Sequence, residues 1–273
     1  MNKLSKEKQI EIVKCLVEGM SLRATSRMAD VSRTTVQKLL LELGVACEDY
    51  HNEHVRNLDK TYKVQCDEIW SFVGKKDKNM SMNELGMGVG SVWTWTALDA
   101  DSKLIISYAV GERTLGCAMD FMKDLKSRLS KRIQLSTDGF AAYRTAVEVA
   151  FQGEIEFGQI IKLYGNFDND HRYSPAECTS IKKHVVTGRP VKDDISTSYV
   201  ERQNLSMRMG MRRFTRLTNA FSKKMEYHVA AISLYFLHYN FVRIHQTLRC
   251  TPAMEAGVTK KLWDVADIVD LLK

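Results

Sequence analysis

One carboxylate heads a run of arginines near residue 200. Glu201 is followed by Arg202, Arg208, Arg212 and Arg213. Written as a helix, positions 201, 205, 208 and 212 fall on one stripe, which places Glu201 on the same side as Arg208 and Arg212. A lone acid beside arginines suits a metal ligand next to bound phosphates. The alternative is a solvated surface helix with an acid near its positive end.

Two further acids of interest fall on predicted strands. The alternating segment 61–74 places Asp67 on the polar side of a strand, whereas Glu68 shares the apolar side. Alternation therefore leaves Asp67 and Glu68 as competing candidates. Asp138 closes a short strand just before a helix, which is a common place for a ligand in α/β sheets. Simple capping of the following helix explains Asp138 equally well.

The elements that must position these acids run three strands, helix, strand, helix, strand, helix. In a ribonuclease H-like sheet the first and fourth strands are neighbours, so Asp67 and Asp138 would lie side by side. A helix crossing the carboxyl end of the sheet would bring in Glu201. We therefore predict an α/β fold, with a ribonuclease H-like mixed five-stranded sheet flanked by helices.

Carboxylate oxygens at such a site suit a hard cation, Mg²⁺, with Mn²⁺ as the alternative ion. Two such ions about 4 Å apart can activate an attacking water or 3′-hydroxyl and stabilise the leaving oxygen. The protein would then contribute mainly positioning and charge stabilisation.

Residues 1–44 predict a small all-α domain of three short helices. Ser21 and Ser32 are expected to cap the second and third helices, and Gly44 to end the third. The short turn between these helices matches helix-turn-helix spacing, which would place the third helix in a major groove. Four of its outward residues can reach phosphates or base edges: Arg33, Thr34, Gln37 and Lys38. The alternative is a small helical bundle for protein contacts.

The remaining chain divides by composition and periodicity. Residues 45–60 are polar and are expected to form a linker or a short connecting helix. We assign 61–257 to the α/β domain, with an irregular, polar insertion at 165–195 that holds two of the three prolines. A final helix is expected within 258–273.

The net charge of +7 is concentrated in one segment. Residues 197–249 contain nine Lys or Arg residues and only two acids, so this segment holds the whole excess. A concentrated basic patch is typical of a protein that binds a phosphate backbone. The six scattered cysteines form no zinc-binding pattern and suit a reducing compartment. With no membrane span or signal core, we expect a cytoplasmic, nucleoid-associated protein.

Several sequence blocks together resemble the DDE transposases of the insertion-sequence-one family. They are C-D-E-I-W-S-F-V-G-K-K (66–76), V-G-E-R-T-L (110–115), L-S-T-D-G-F-A-A-Y (135–143) and T-S-Y-V-E-R-Q-N-L-S-M-R (197–208). The segment 17–36 resembles the helix-turn-helix of the same family, and 239–252 is similar to the tails of several bacterial transposase families. The match spans most of the chain.

The resemblance implies that Asp67, Asp138 and Glu201 are a metal-binding catalytic triad, and it favours Asp67 over Glu68. The implied activity is cleavage at element ends and transfer of the 3′-hydroxyls into target DNA. The implied partner is double-stranded DNA, bound by a homodimer or higher oligomer. The chain lacks the Cys-rich N-terminal segment of many family members, so end recognition falls to the helix-turn-helix and the basic segment. The stretch between Asp138 and Glu201 is also longer than in the family's archetype.

Two alternatives belong to other functional classes. A DNA-binding protein that performs no chemistry would use residues 21–43 and the basic segment, but the three intact acids argue against it. A ribonuclease H-like nuclease acting on RNA–DNA hybrids or junctions would need no DNA-reading helices at its N-terminus.

Overall fold

The computed structural model describes residues 4–81, 83, 88–164, 178–215 and 218–272. The helices are α1 (Lys6–Val17), α2 (Leu22–Met28), α3 (Arg33–His54), α4 (Leu115–Arg128), α5 (Ala142–Phe151), α6 (Ser198–Gly210), α7 (Met225–Phe241), α8 (Pro252–Glu255) and α9 (Val265–Asp270). The strands are β1 (Lys63–Val73), β2 (Gly90–Asp99), β3 (Ile105–Gly111), β4 (Gln134–Asp138), β5 (Glu156–Tyr164) and β6 (Cys178–Thr187).

The strands form one mixed sheet in the order β3-β2-β1-β4-β5-β6. β1, β2 and β3 are an antiparallel meander, and β4 and β5 run parallel to β1 and to each other. This is the ribonuclease H-like arrangement predicted from the element order. The prediction of five strands is wrong, because β6 adds a sixth strand antiparallel to β5.

The sixth strand lies within the segment that was predicted to be an irregular insertion. β6 is exposed along nearly its whole length, so its sequence shows no apolar alternation that would reveal a strand. Backbone pairing with β5 stabilises it instead. Residues 165–177 of the predicted insertion lie outside the described residues.

The three N-terminal helices confirm the predicted helix starts. Ser21 Oγ accepts from the Ala24 amide at 3.1 Å, and Ser32 Oγ accepts from the Thr35 amide at 3.0 Å. The prediction that Gly44 ends the third helix is wrong, because α3 continues to His54 and includes ten residues of the predicted linker. The division of the chain into separate domains stays a prediction.

Gly44 is needed for packing rather than for helix termination. A Cβ atom at this position would lie only 2.4 Å from the Cβ of Ala230 on α7. A glycine inside a helix costs roughly 1 kcal/mol, but here it allows α3 and α7 to approach closely. The first helices therefore pack directly on the α/β sheet region.

Two clusters of buried apolar side chains cover the two faces of the sheet. The larger joins α4 and α5 to one face and extends through α1, α3, α7 and α9. The smaller joins α6 and α7 to Ile69, Leu98 and Ile105 on the other face. α7 is buried on nearly all sides, between α3 and the sheet. It therefore lacks the polar face of an amphipathic surface helix.

None of the helices in the described part of the chain combines the length and the apolar character that crossing a bilayer requires.

Candidate active site

The sheet brings two of the predicted acids to the same place. β1 and β4 are parallel neighbours, and their register pairs Cys66 with Thr137. Asp67 and Asp138 follow directly in the two strands, at the point where β4 ends. The expectation that the first and fourth strands are adjacent is therefore confirmed.

The helix that carries Glu201 is fixed against the same strand. Gln65 Oε1 accepts from the amides of Tyr199 and Val200 at 2.8 and 3.2 Å, and so satisfies the free N–H groups at the start of α6. Two residues along β1, Asp67 Oδ2 accepts from Asn204 Nδ2 at 2.8 Å. Because alternate residues of a strand share a face, one face of β1 holds both contacts to α6.

Glu201 lies on the partly exposed side of α6. Its Oε1 accepts from Thr197 Oγ1 at 2.5 Å and pairs with the ammonium group of Lys162 on β5. The Glu201 carboxylate therefore has two partners of its own, while its charge still acts on Asp67.

The tightest group of acids contains Glu68 in place of Glu201. Ligand oxygens of Asp67, Glu68 and Asp138 all lie within 4.8 Å of one another. Burial, followed by the charge of Asp138, raises the pKa of Asp67 to about 6, and the charge of Glu201 adds to this effect. Burial, with smaller contributions from Asp138 and Asp67, raises the pKa of Glu68 to about 7. Burial and mutual repulsion therefore disfavour the charged forms of these carboxyl groups, and either a proton or a bound cation relieves this.

One cation within the chain already contacts this group, and no role was predicted for it from the sequence. Arg113 lies between β3 and α4, and its Nε donates to Glu68 Oε2 at 3.2 Å. Its Nη2 donates to Asp138 Oδ2 at 3.4 Å. The only signal in the sequence is that Arg113 belongs to the block V-G-E-R-T-L.

The acidic group fits a divalent cation. Its donors are hard carboxylate oxygens, which Mg²⁺ and Mn²⁺ prefer, and they are close enough to share one ion after small side-chain movements. One buried oxygen beside the group, Asn204 Oδ1, has no hydrogen-bond partner among the described residues, whereas Glu68 has the Tyr143 hydroxyl as a partner, which lowers the pKa of Glu68. Buried oxygens without donors are expected where an ion or its bound water completes the coordination.

The predicted DNA-contacting residues come from two distant segments, and the fold brings four of them to one groove. A groove of about 1000 Å³ separates the N-terminal helices from the segment between α6 and α7. Arg33 and Gln37 line its first wall, and Arg212 and Arg213 line its second. The cations that line it are Arg23, Arg33, Arg212, Arg213, Lys223 and Lys224, and no acid is among its described lining residues.

The other predicted contacts lie elsewhere. Thr34, Lys38 and Arg202 are exposed but do not line the groove, and Arg208 is half-buried on α6. Arg213 lines the groove, but its guanidinium is turned inward, where it donates to Ser222 Oγ and to the Tyr227 carbonyl, both at 2.8 Å. Burial lowers the pKa of Arg213 to about 10, so its visible role is to join the end of α6 to the start of α7.

The stripe proposed for 201–212 ends earlier than its spacing predicts. α6 stops at Gly210, and Arg212 belongs to a short 3₁₀ turn, Arg212–Phe214. The turn between α1 and α2 packs on this helix end, since a Cβ at Gly19 would lie 2.3 Å from the Gly210 carbonyl oxygen. α6 therefore spans from the acidic group at its first turn to the N-terminal helices at its last.

Comparison with known proteins gives weak similarities. No family profile matches the sequence, and no curated protein matches it. Among solved structures, the chain is similar to a Mos1 transposase paired-end complex with the left transposon end, at 13% identity and a TM-score of 0.24, over 57% of this chain and 60% of that one. It is also similar to a piggyBac transposase synaptic complex with hairpin DNA, at 11% identity and a TM-score of 0.40, over 100% and 72% of the two chains.

A Mos1 strand transfer complex matches over 88% of this chain and 78% of that one, at 12% identity and a TM-score of 0.25. The chain spans about 60% of the length of the Mos1 transposase in the paired-end complex. With TM-scores below 0.5, these similarities carry no argument about activity, which is argued below from the geometry of this chain.

Proposed function

We propose that this chain is a DNA transposase, which binds element ends, cleaves DNA in a metal-dependent reaction and transfers the new 3′-hydroxyl ends. One observation carries the proposal: Asp67 and Asp138 lie on adjacent parallel strands, and the helix bearing Glu201 is fixed to Asp67 by Asn204. This geometry is built from three parts of the sequence that are 71 and 63 residues apart.

In this proposal Asp67, Asp138 and Glu201 hold Mg²⁺ or Mn²⁺. The bound metal would activate the attacking oxygen and stabilise the leaving oxygen of the phosphodiester. The residues of the chain position these ligands. Asn204 orients Asp67, the Phe140 amide donates to Asp138 Oδ1 at 2.9 Å, and Lys162 with Thr197 holds Glu201.

To bind a metal ion together with the other two acids, the Glu201 carboxylate must move away from Lys162 or bind the ion while it stays paired with Lys162. Its pair with Lys162 is partly exposed, with side-chain exposures of 25% for Lys162 and 39% for Glu201. Exposed ion pairs contribute only about 0–1 kcal/mol, so the pair is easily exchanged when a cation enters.

DNA is proposed to occupy the basic groove between the N-terminal helices and the segment that follows α6. The groove combines cations that bind phosphates with Gln37, a side chain that can read base edges. Nine residues of α6 separate Glu201 from the groove. At a helix rise of 1.5 Å per residue, the two are therefore about 14 Å apart along the helix axis. Element ends are joined in pairs, so we propose a homodimer or higher oligomer as the active form.

A strand-transfer assay tests this proposal. Duplexes carrying the sequences that flank the gene are incubated with the full chain, Mn²⁺ and a target plasmid, and joined products are measured on a gel. We expect joining by the wild-type chain and none by Asp138→Ala. Asp120→Asn, an exposed acid on α4, is the matched control and should retain joining.

Circular dichroism shows whether each variant is folded. A folded Asp138→Ala chain that joins DNA at the wild-type rate would contradict the assignment. Tight DNA binding with no metal-dependent cleavage or joining would favour a DNA-binding protein without chemistry.

A further inference from the structure

The guanidinium of Arg113 is held in a fixed position by its neighbours at the edge of the acidic group. Its Cζ lies over the Phe140 ring, 3.9 Å from the ring centroid, and 5.2 Å from the centroid of the Trp93 ring. Its Nε is bound by Glu68 and its Nη2 by Asp138. Two aromatic rings and two carboxylates thus fix a side chain that remains 32% exposed.

Glu68 and Asp138 hold Arg113 in different ways. The Glu68 side chain is only 1% exposed, whereas that of Asp138 is 36% exposed. A buried carboxylate that loses its partner is left as an uncompensated charge, so the pair with Glu68 is the durable one. The contact with Asp138 is longer and exposed to solvent, and it is therefore the contact that can be exchanged.

We propose that Glu68 positions Arg113 to bind a non-bridging oxygen of the DNA phosphate at the cleavage site, in exchange for Asp138. This inference rests on the proposed function. When Asp138 turns to a divalent cation, Nη2 of Arg113 loses its acceptor and becomes a donor aimed into the site. A planar guanidinium matches phosphate oxygens better than an ammonium group does. Arg113 would thus contact substrate, and Glu68 would act through Arg113.

The exchange predicts a competition that needs no DNA to observe. Mn²⁺ binding to the full chain is measured by titration, with Arg113→Ala and Arg113→Lys compared with the wild type. Removing a positive charge near Asp138 should tighten Mn²⁺ binding about fivefold in Arg113→Ala, whereas Arg113→Lys should stay close to the wild type. Arg132→Ala removes a surface arginine paired with Glu156 and serves as the matched control.

Glu68→Gln separates positioning from metal ligation. If Glu68 acts through Arg113, its amide variant should weaken Mn²⁺ binding only by the loss of one nearby negative charge, about fivefold, because no ligand is lost. A weakening of more than about 100-fold, as large as that in Asp138→Asn, would exceed the effect of a residue that acts through another, make Glu68 a metal ligand and overturn the inference.

Single-turnover cleavage of an end duplex provides the second measurement. Arg113→Ala should cut about 100-fold more slowly, with duplex affinity changed less than about threefold, and Arg113→Lys should recover part of the rate. Adding Glu68→Gln to Arg113→Ala should cause no further loss, since residues that act as one unit are not additive. Wild-type cleavage by Arg113→Ala, or rate losses that multiply in the double variant, would overturn the inference.

The two measurements separate this inference from the proposed function. If the wild-type chain cleaves no DNA, the proposed function fails, and Mn²⁺ binding alone decides whether Arg113 competes for Asp138. Tighter binding in folded Arg113→Ala then supports the exchange, and unchanged binding contradicts it. Should Arg113→Ala fail to fold, Arg113→Lys and Glu68→Gln carry both measurements.

Discussion

Asn204 on α6 donates a hydrogen bond of 2.8 Å to Asp67 on β1, and so links the helix of Glu201 to the first acid of the site. The two residues are 137 positions apart in the chain. Asn204 is 7% exposed, so water cannot readily replace it as a donor. This bond sets where Glu201 lies relative to the paired strands.

Replacing Asn204 should therefore affect both stability and the acidity of Asp67. We expect Asn204→Ala to lower the free energy of unfolding by about 1.5–3 kcal/mol, because the bond it removes has a charged acceptor. The pKa of Asp67 should rise further above 6, since the Asn204 bond lowers it. Denaturant unfolding and a carboxyl NMR titration measure the two effects. Leu205→Ala, an exposed neighbour on α6, should change neither by a comparable amount.

Stability should depend on pH through the raised pKa of Asp67. Burial and the charge of Asp138 raise this pKa from the ordinary 3.8 to about 6 in the folded chain. The folded state therefore binds the proton more tightly, and this contribution to stability is present below pH 4 and lost as the pH rises through 6. In Asp67→Asn this loss of stability with rising pH should be absent.

The measured quantity is the difference in unfolding free energy between Asp67→Asn and the wild type. From pH 4 to pH 6 the variant should become more stable relative to the wild type, by no more than about 3 kcal/mol, and the difference should then level off. A constant difference across this range would show that Asp67 is not strained by its neighbours. Asp120→Asn should show no such rise.

The two walls of the basic groove should contribute differently to DNA binding. Arg212→Ala and Lys223→Ala should weaken binding to all sequences alike, and each should reduce the slope of log K against log salt by about 0.9. Gln37→Ala should instead relax sequence preference, by about 1–3 kcal/mol at the base pair it contacts. Titrations with cognate and unrelated duplexes at several salt concentrations measure both effects.

Arg132→Ala is the control for these titrations, because it removes an arginine that does not line the groove. An unchanged salt slope in both Arg212→Ala and Lys223→Ala would mean that this groove does not bind a phosphate backbone. Arg213→Ala should lower the free energy of unfolding and change the salt slope little, since its guanidinium binds Ser222 and Tyr227 within the fold.

The contact between Gly19 and the end of α6 should tolerate no side chain. Gly19 has φ +76°, and a Cβ there would lie 2.3 Å from the Gly210 oxygen. Gly153 has φ +84°, but its Cβ would meet nothing within 4 Å. Gly153→Ala should therefore cost only the backbone strain of about 1–2 kcal/mol, and Gly19→Ala clearly more. Equal losses in denaturant unfolding would show that the N-terminal helices do not press on α6.

The sequence carried enough information to predict the sheet but not its sixth strand. The strands up to β5 were visible because buried β-branched and aromatic residues mark them. β6 is exposed on both faces, and pairing with β5 is a long-range interaction that leaves no local pattern. The continuation of α3 was missed for a similar reason, since the close approach of Ala230 on α7, which leaves no room for a side chain at position 44, is a long-range contact.

At the site, strand order was sufficient to predict that Asp67 and Asp138 meet, because β1 and β4 are parallel neighbours and the end of β4 lies beside Asp67. The partners of these acids could not be predicted. Arg113 reaches Glu68 across two strands and a loop, and Gln65 and Asn204 contact each other's elements only after α6 is docked. Arg213 looks like part of a basic face in the sequence, but the turn after α6 directs it inward.

The most direct test of the proposed site is single-turnover cleavage of a labelled end duplex in Mn²⁺, Mg²⁺ or EDTA. Asp67→Asn, Asp138→Asn and Glu201→Gln are compared with the wild type and with Asp120→Asn. The proposal predicts cleavage by the wild type and the control in either metal, none in EDTA, and a loss of at least about 10²–10³-fold in each of the three variants. Cleavage at the wild-type rate by any of these three folded variants, or in EDTA, would contradict it.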